Sequence, residues 1–308
     1  MHAATLFPPD HNNMKPFAKK LAASGLFARA RRLLEENEKD WNLPLTKLQK
    51  LMVGSYMILR DYSTGDFPPT FENETSTFDA EKDYYRTLTE KGKDIAALRT
   101  SDMRKPFWTA AATTRYLSDF IDIRNALARC NIHPPAHLLE VGCGSGWMSE
   151  FLTVAGFAVT ATTIDPEADF FLTRRKNSLV EKTLPNQLEF AASPMEYVDQ
   201  AVPNKGSFDA VFVYEALHHA HDWKKSIHAF SACLKPGGWC FIFNEPNLTH
   251  TFVSYRVAHL SNTHEIGINP SELKRECKRA GLPEIRILKN RWHCYYKPIW
   301  IAARKSET

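Results

Sequence analysis

The chain has 308 residues, 44% of them hydrophobic, and a formal net charge of +4. That is enough for one large domain, or one domain of ordinary size with a substantial extension. The charge is too small to argue for nucleic acid unless it is concentrated, and no run of about eighteen apolar residues suggests a membrane span. Cys130, Cys143, Cys233, Cys240, Cys277 and Cys294 form no Cys-x-x-Cys pair and no metal-ligand spacing. With no signal-peptide pattern either, the expectation is free thiols in a reducing compartment, the cytoplasm.

Residues 15–38 and 43–60 read as two helices. The first is basic: from His11 to Leu34 there are six Lys or Arg residues and no acid, with Phe17, Leu21, Phe27, Ala30 and Leu34 at helical spacing. A transit peptide or a membrane-surface helix has this character, but an ordinary amphipathic helix packed on the body is the expected reading. Leu45, Leu48, Leu51, Met52, Tyr56 and Leu59 form the apolar stripe of the second helix. Asp61 to Glu81 is polar and acidic, holds Gly65, Pro68 and Pro69, and reads as a loop or linker. Helical pattern returns from Lys82 to Ile132 with aromatic weight in Tyr84, Tyr85, Phe107 and Trp108. The division expected is 1–81 as helical extension and linker, 82–134 as a helical lid, and 135–308 as the main domain.

From Pro135 strands alternate with helices. Strand candidates are His137–Val141, Phe157–Ile164, Leu188–Ala192, Phe208–Tyr214, Trp239–Asn244, Glu284–Lys289 and Ile299–Ala303. Asn269-Pro270-Ser271-Glu272 looks like a helix start and Gly281 like its stop. The pattern predicts an α/β fold: a seven-stranded, mostly parallel, doubly wound (Rossmann-like) sheet with a helical N-terminal extension. Ligands in such sheets sit at the carboxyl ends of the strands.

The first strand runs into Glu140-Val141-Gly142-Cys143-Gly144-Ser145-Gly146-Trp147. In the dinucleotide fingerprint Gly-x-Gly-x-x-Gly the third glycine allows close helix packing, but here that position is Trp147. Glu140, two residues before the first glycine, would repel a pyrophosphate and welcome a cationic cofactor.

These residues resemble the first motif of the class I S-adenosylmethionine-dependent methyltransferases. The resemblance implies that the loop of Gly142, Cys143, Gly144 and Gly146 wraps the methionine part of S-adenosyl-L-methionine, with Glu140 helping to hold its cationic end. Strand two ends at Ile164-Asp165, nineteen residues past Gly146, and Pro166 opens a helix. In the family an acid at this place accepts hydrogen bonds from the ribose hydroxyls. Leu234-Lys235-Pro236-Gly237-Gly238 matches the family's turn into strand five. The resemblance covers roughly residues 135–304. It departs after strand three, where Ser193 stands in place of the usual adenine-binding Asp; Pro194 and Met195 follow, and Met195 is expected on the purine face.

After strand four, "VYEALHHAHDW" (Val213 to Trp223) resembles the Leu-His-His stretch of the small-molecule branch that includes ubiquinone- and menaquinone-type methyltransferases. Three readings of its histidines stay open. His218 or His219 is a catalytic general base; both merely shape the cofactor pocket; or His218, His219, His221 and Asp222 bind a metal. Crowded spacing argues against the last, and no metal is expected. Glu215 is expected to face either the cofactor or the acceptor, or to be only a helix-terminus charge.

An open sheet needs a cover to exclude water. Tyr84 and Tyr85 are expected to cap the cofactor, with Arg104, Lys105, Phe107 and Trp108 meeting the acceptor. A second candidate is Pro246 to Asn269, with Tyr255, Arg256, His259 and His264. In both, the aromatics forming a satellite core is the competing reading. Trp292, His293, Tyr295 and Tyr296 are expected to pack on the sheet.

The resemblance implies methyl transfer to an O, N or C atom of a small molecule. The alternatives are an RNA or protein acceptor, docked by the basic helix, or a non-catalytic cofactor-binding partner subunit. No DNA partner and no transmembrane segment are expected, and homo-oligomerisation stays open.

Overall fold

The computed structural model describes residues 15–39, 45–65, 71–164, 168–182, 184, 187–247, 255, 257–259, 261–289 and 297–307. Helices α1 (Lys15–Ala23), α2 (Ala28–Lys39) and α3 (Lys47–Thr64) come first, then α4 (Glu74–Lys82), α5 (Tyr84–Glu90), α6 (Ile95–Met103) and α7 (Ala110–Arg129). The alternating part follows: β1 (His137–Val141), α8 (Trp147–Val154), β2 (Ala158–Thr163), α9 (Ala168–Glu181), β3 (Leu188–Ala192), α10 (Val198–Ala201), β4 (Phe208–Tyr214), α11 (Trp223–Cys233) and β5 (Leu234–Glu245). Helix α12 (Pro270–Arg279), β6 (Glu284–Ile287) and β7 (Ile299–Arg304) complete the described elements.

The sheet order is β3-β2-β1-β4-β5-β7-β6, with β7 antiparallel to both neighbours and the other pairs parallel. Period-two alternation divides the core. Leu138, Phe212 and Phe241 face α7 and α8, while Leu139, Val141, Val211 and Ile242 face α11 and α12. The chain reverses its direction of travel across the sheet between β1 and β4, so the loops after these strands open a crevice.

Three differences from the sequence reading have local causes. The single helix expected over 15–38 breaks at Ser24, whose hydroxyl donates to the Leu21 carbonyl, and Gly25 begins a 3₁₀ turn. β5 starts at Leu234, because Gly238 lies so close to the Phe208 and Asp209 carbonyls that the Pro-Gly-Gly turn is already part of the sheet. The described parts of the polar stretch expected to be a linker are largely helical. α3 runs on to Gly65, a left-handed cap, and an Asn73–Ser76 capping box starts α4.

The N-terminal helices make their own core. Ala30, Leu34, Val53, Met57 and Tyr255 are buried together, and Leu21 and Phe27 are half-buried, whereas Phe17 is 62% exposed and leaves the expected stripe. Asp61 of α3, fully buried, accepts from His259 at 2.6 Å and from Arg60 at 2.7 Å, tying this unit to the segment after β5. Among the described residues no helix is long and apolar enough to cross a membrane.

Candidate active site

A cavity of about 340 Å³ lies at the carboxyl ends of β1 and β4. Of the residues singled out from the sequence, Gly142, Gly144, Ser193, Pro194, Met195, Glu215, His219, Tyr84, Tyr85 and Lys105 line it. Asp165 and Pro166 lie outside the described residues, as do Arg256, Trp292, His293, Tyr295 and Tyr296.

The glycine loop is built from backbone. Gly142, Gly144 and Gly146 all have positive φ, at 73°, 51° and 70°. A Cβ on Gly142 would stand 2.7 Å from the Ala216 Cβ and 2.9 Å from the Met195 Cε, so this position is closed by its neighbours. A Cβ on Gly144 would meet nothing within 4 Å, because its face opens on the cavity. Gly146 is closed by Leu172 and caps α8, and Cys143 is buried; neither lines the cavity, so both support the loop from behind. Arg175, 4% exposed, fastens the loop by donating to the Ser145 carbonyl and pairing with Glu150 at 2.7 Å. Trp147 is buried against Tyr116 and Tyr214, filling the space that a third dinucleotide glycine keeps clear.

Glu140 needs a correction. It was expected to face a cationic cofactor, but it points to the α7 and α8 side of β1, accepts a hydrogen bond from Ser149 of α8, and does not line the cavity. Burial pushes its pKa up to about 8, against the Ser149 hydroxyl and the Arg175 charge. Burial thus favours the protonated carboxyl, which fixes α8 beneath the loop.

Glu215 sits at φ 50° at the end of β4, an uncommon backbone for a non-glycine residue. Its carboxylate accepts from Arg115 at 3.1 Å and Asn244 at 2.7 Å, and burial raises its pKa against the Arg115 charge. Ser193 donates its hydroxyl to the Pro194 carbonyl at 2.8 Å, which leaves the oxygen free as an acceptor.

The two histidines take different places. His218 does not line the cavity; its Nδ1 is 2.8 Å from the Glu245 carboxylate. Glu245 is fully buried and also accepts from the backbone N–H groups of Ala216, Leu217 and His218. Burial raises its pKa, but His218 and these donors outweigh that and lower it. His219 faces the cavity, with Nδ1 3.4 Å from Glu81 and Nε2 3.9 Å from Glu265. Burial opposes its charge, yet the two carboxylates push its pKa up to about 10. His221 turns away to Thr77 at 2.7 Å, and Asp222 caps α11.

The cover comes from both expected segments, through partly different residues. Tyr85 donates to Asp102, which also pairs with Lys105 at 2.7 Å. Arg104 is exposed, and Phe107 and Trp108 pack outside the cavity on Phe151 and Tyr116. The segment after β5 contributes Val257, Ser261, Thr263 and Glu265, while Tyr255, His259 and His264 hold it in place. Phe78 and Glu81 of α4 close the remaining side. Sequence reasoning missed Glu81, Glu245 and Glu265, which become visible as site residues only when the chain returns.

A family model described as "Methyltransferase domain" matches residues 111–285. The chain belongs to the methyltransferase-domain family. It is 36% identical over 155 residues to the ubiquinone biosynthesis O-methyltransferase of Hydrogenovibrio crunogenus, covering 47% of this chain and 61% of that protein. A protein of the same name from Xanthomonas axonopodis pv. citri is 30% identical over 189 residues, or 57% of this chain and 75% of that one. A solved Burkholderia thailandensis 1,6-didemethyltoxoflavin-N1-methyltransferase, with bound S-adenosylhomocysteine, is 16% identical, covering 77% of this chain and 92% of that one at a TM-score of 0.47. In this chain the glycine loop leaves open room at Gly144, on the same cavity that Ser193 lines.

Proposed function

We propose that the chain methylates a hydroxyl oxygen of a small molecule. One observation carries this reading: the glycine loop and an acid–base wall of His219, Glu81 and Glu265 line a single covered cavity. The two relatives named above, both O-methyltransferases, support oxygen over nitrogen or carbon. A cavity of about 340 Å³ covered by α4, α5 and α6 suits a small acceptor better than RNA or a folded protein.

S-adenosylmethionine supplies a methyl group activated by a sulfonium. The chain's own residues do the rest. Gly142, Gly144 and Met195 shape the donor side, with Ser193 at the adenine and Asp165 at the ribose hydroxyls. Tyr84 and Tyr85 exclude water, His219, held as a cation by Glu81 and Glu265, orients the acceptor hydroxyl, and one of those carboxylates receives its proton. Glu140 and Arg175 act at one remove by fixing the loop. The division into extension, lid and main domain belongs to this proposal, as does a cytoplasmic location.

The test is incubation with methyl-labelled S-adenosylmethionine and a metabolite extract, with products identified by mass. A labelled methyl ether is expected. Tight binding of S-adenosylhomocysteine with no labelled product from any extract would instead make the chain a non-catalytic cofactor-binding subunit.

A further inference from the structure

Glu265 reaches the cavity from the segment between β5 and α12, and its side chain is only 7% exposed. Among the described residues its carboxylate accepts no hydrogen bond. Its ion-pair partners, His218 Nε2 and His219 Nε2, stand 3.7 and 3.9 Å away, which is too far. A carboxylate withdrawn from water without donors is costly, and the side of Glu265 that remains open faces the cavity. A ligand there would meet an acceptor group that the fold has left unsatisfied.

The charges on the cavity wall do not balance either. Asp102 pairs with Lys105 at 2.7 Å, and Glu215 pairs with Arg115 at 3.1 Å. Glu196 is buried and accepts from the Asp222 N–H, and burial raises its pKa. Behind the wall, Glu245 has His218 Nδ1 and three backbone N–H groups to itself. Glu81 and Glu265 are left to share the single cation of His219. Glu81 is the better satisfied of the two, because it also accepts from the His264 N–H at 2.9 Å. The surplus negative charge therefore centres on Glu265. It does not lie against Gly142, whose close neighbours Ala216 and Met195 are uncharged.

The rest of the wall suits a cation. Phe78, Tyr84 and Tyr85 bring aromatic rings to the same cavity. Burial, then Asp102, then Glu265 and Glu81 push the Tyr84 pKa up to about 12 against the Lys105 charge, so this ring stands within the field of both carboxylates. Aromatic faces beside carboxylates favour a bound ammonium.

We propose that Glu265, with Glu81 and the rings of Phe78, Tyr84 and Tyr85, forms a subsite for a protonated amine, so that the acceptor is a small cationic molecule carrying both a hydroxyl and an amine. The hydroxyl's part rests on the methyl-transfer reading; binding of the amine does not. Protonation keeps the amine itself from attacking the methyl group. With Glu265 engaged by the ammonium, Glu81 takes the hydroxyl proton as the O–C bond forms, and the electron pair of the broken C–S bond stays on the sulfur of S-adenosylhomocysteine.

The experiment uses the full chain saturated with S-adenosylhomocysteine and two sets of matched probes, followed by ligand-observed NMR. One set is glucosamine, glucose and glucuronate; the other is tyramine, 4-ethylphenol and 4-hydroxyphenylacetate. In at least one set the amine should bind about tenfold tighter than the neutral form, with the acid weakest. Glu265→Gln should abolish this preference while the Kd for S-adenosylhomocysteine stays within about threefold. No preference for the amine in either set, or a preference that survives Glu265→Gln, overturns the subsite. A larger loss of S-adenosylhomocysteine affinity also overturns it, by placing the carboxylate on the cofactor. Should the variant not fold, carbodiimide coupling of bound tyramine or glucosamine in the unaltered chain decides. The amide must form at Glu265 or Glu81, and coupling only elsewhere overturns the proposal. The extract arm separates the two readings. A labelled product that is neutral or anionic at pH 7 overturns the amine class and leaves methyl transfer standing. An amine preference with no labelled product from any extract supports the subsite and counts against methyl transfer.

Discussion

The two sides of the cavity are made in opposite ways. Under the proposed function the donor side is backbone and apolar side chain: Gly142, Gly144, Met195 and Ala216, all close to the ends of β1, β3 and β4. The acceptor side is charged and assembled from three distant segments, with Glu81 from α4, His219 after β4, and Glu265 before α12. A methyl donor common to a whole family needs a constant cradle, which a short loop can encode locally. An acceptor that differs among family members needs a wall whose parts can be exchanged separately, and distant segments provide that.

If the donor side depends on close backbone approach, filling it should have the largest effect. Gly142→Val places branched carbon against Ala216 and Met195 at a φ of 73° that β-branched residues avoid. Affinity for S-adenosylhomocysteine by calorimetry should fall more than about 100-fold, equivalent to roughly 2.7 kcal/mol. Gly144→Ala, facing open space, should lose less; equal losses would show that both positions matter only for backbone strain. The acceptor side should fail by a different route. Glu245→Ala leaves three backbone donors and the His218 ring without their buried acceptor, a change expected to cost about 3–5 kcal/mol in urea unfolding. Glu245→Gln should lose less, and cofactor affinity should survive in whichever variant folds.

The same contrast decides what could be read from the sequence. The strands at His137–Val141, Leu188–Ala192 and Phe208–Tyr214 were legible to the residue, because short apolar runs between turns identify buried parallel strands. The glycine loop was legible for the same local reason. Glu81 was hidden in a polar stretch that looked like a linker, since its acids resembled solvated charge until α4 turned one of them inward. Glu265 carried no local signal at all. Glu140 was noticed for its charge and misplaced, because period-two alternation sends it to the α7 and α8 side of β1, a consequence visible once Leu139 and Val141 are assigned to the other face.

Glu140 offers a smaller test on the donor side. Its folded pKa of about 8 stands above the ordinary carboxyl value, so between about pH 4.5 and 8 the folded chain holds a proton that the unfolded chain has released. Its contribution to stability is fully present below that window and is lost as pH rises through it, at up to about 1.4 kcal/mol per pH unit. Glu140→Gln keeps the shape and removes the titration. Urea midpoints at pH 5, 6.5 and 8 should therefore fall less steeply in the variant, and parallel slopes would show that Glu140 is ionised in the fold.

The smallest effect asks whether the two sides communicate. Tyr85 of the cover donates to Asp102, and Arg175, which holds the glycine loop, reaches the Asp102 and Met103 carbonyls at 3.4 Å. Tyr85→Phe removes one hydrogen bond worth about 1 kcal/mol and leaves the Lys105–Asp102 pair in place. If cover and loop move as one body, S-adenosylhomocysteine affinity and acceptor KM should both weaken about fivefold. A change in KM alone would mean that the acceptor wall closes independently of the cradle, so that the division of the cavity is mechanical as well as chemical.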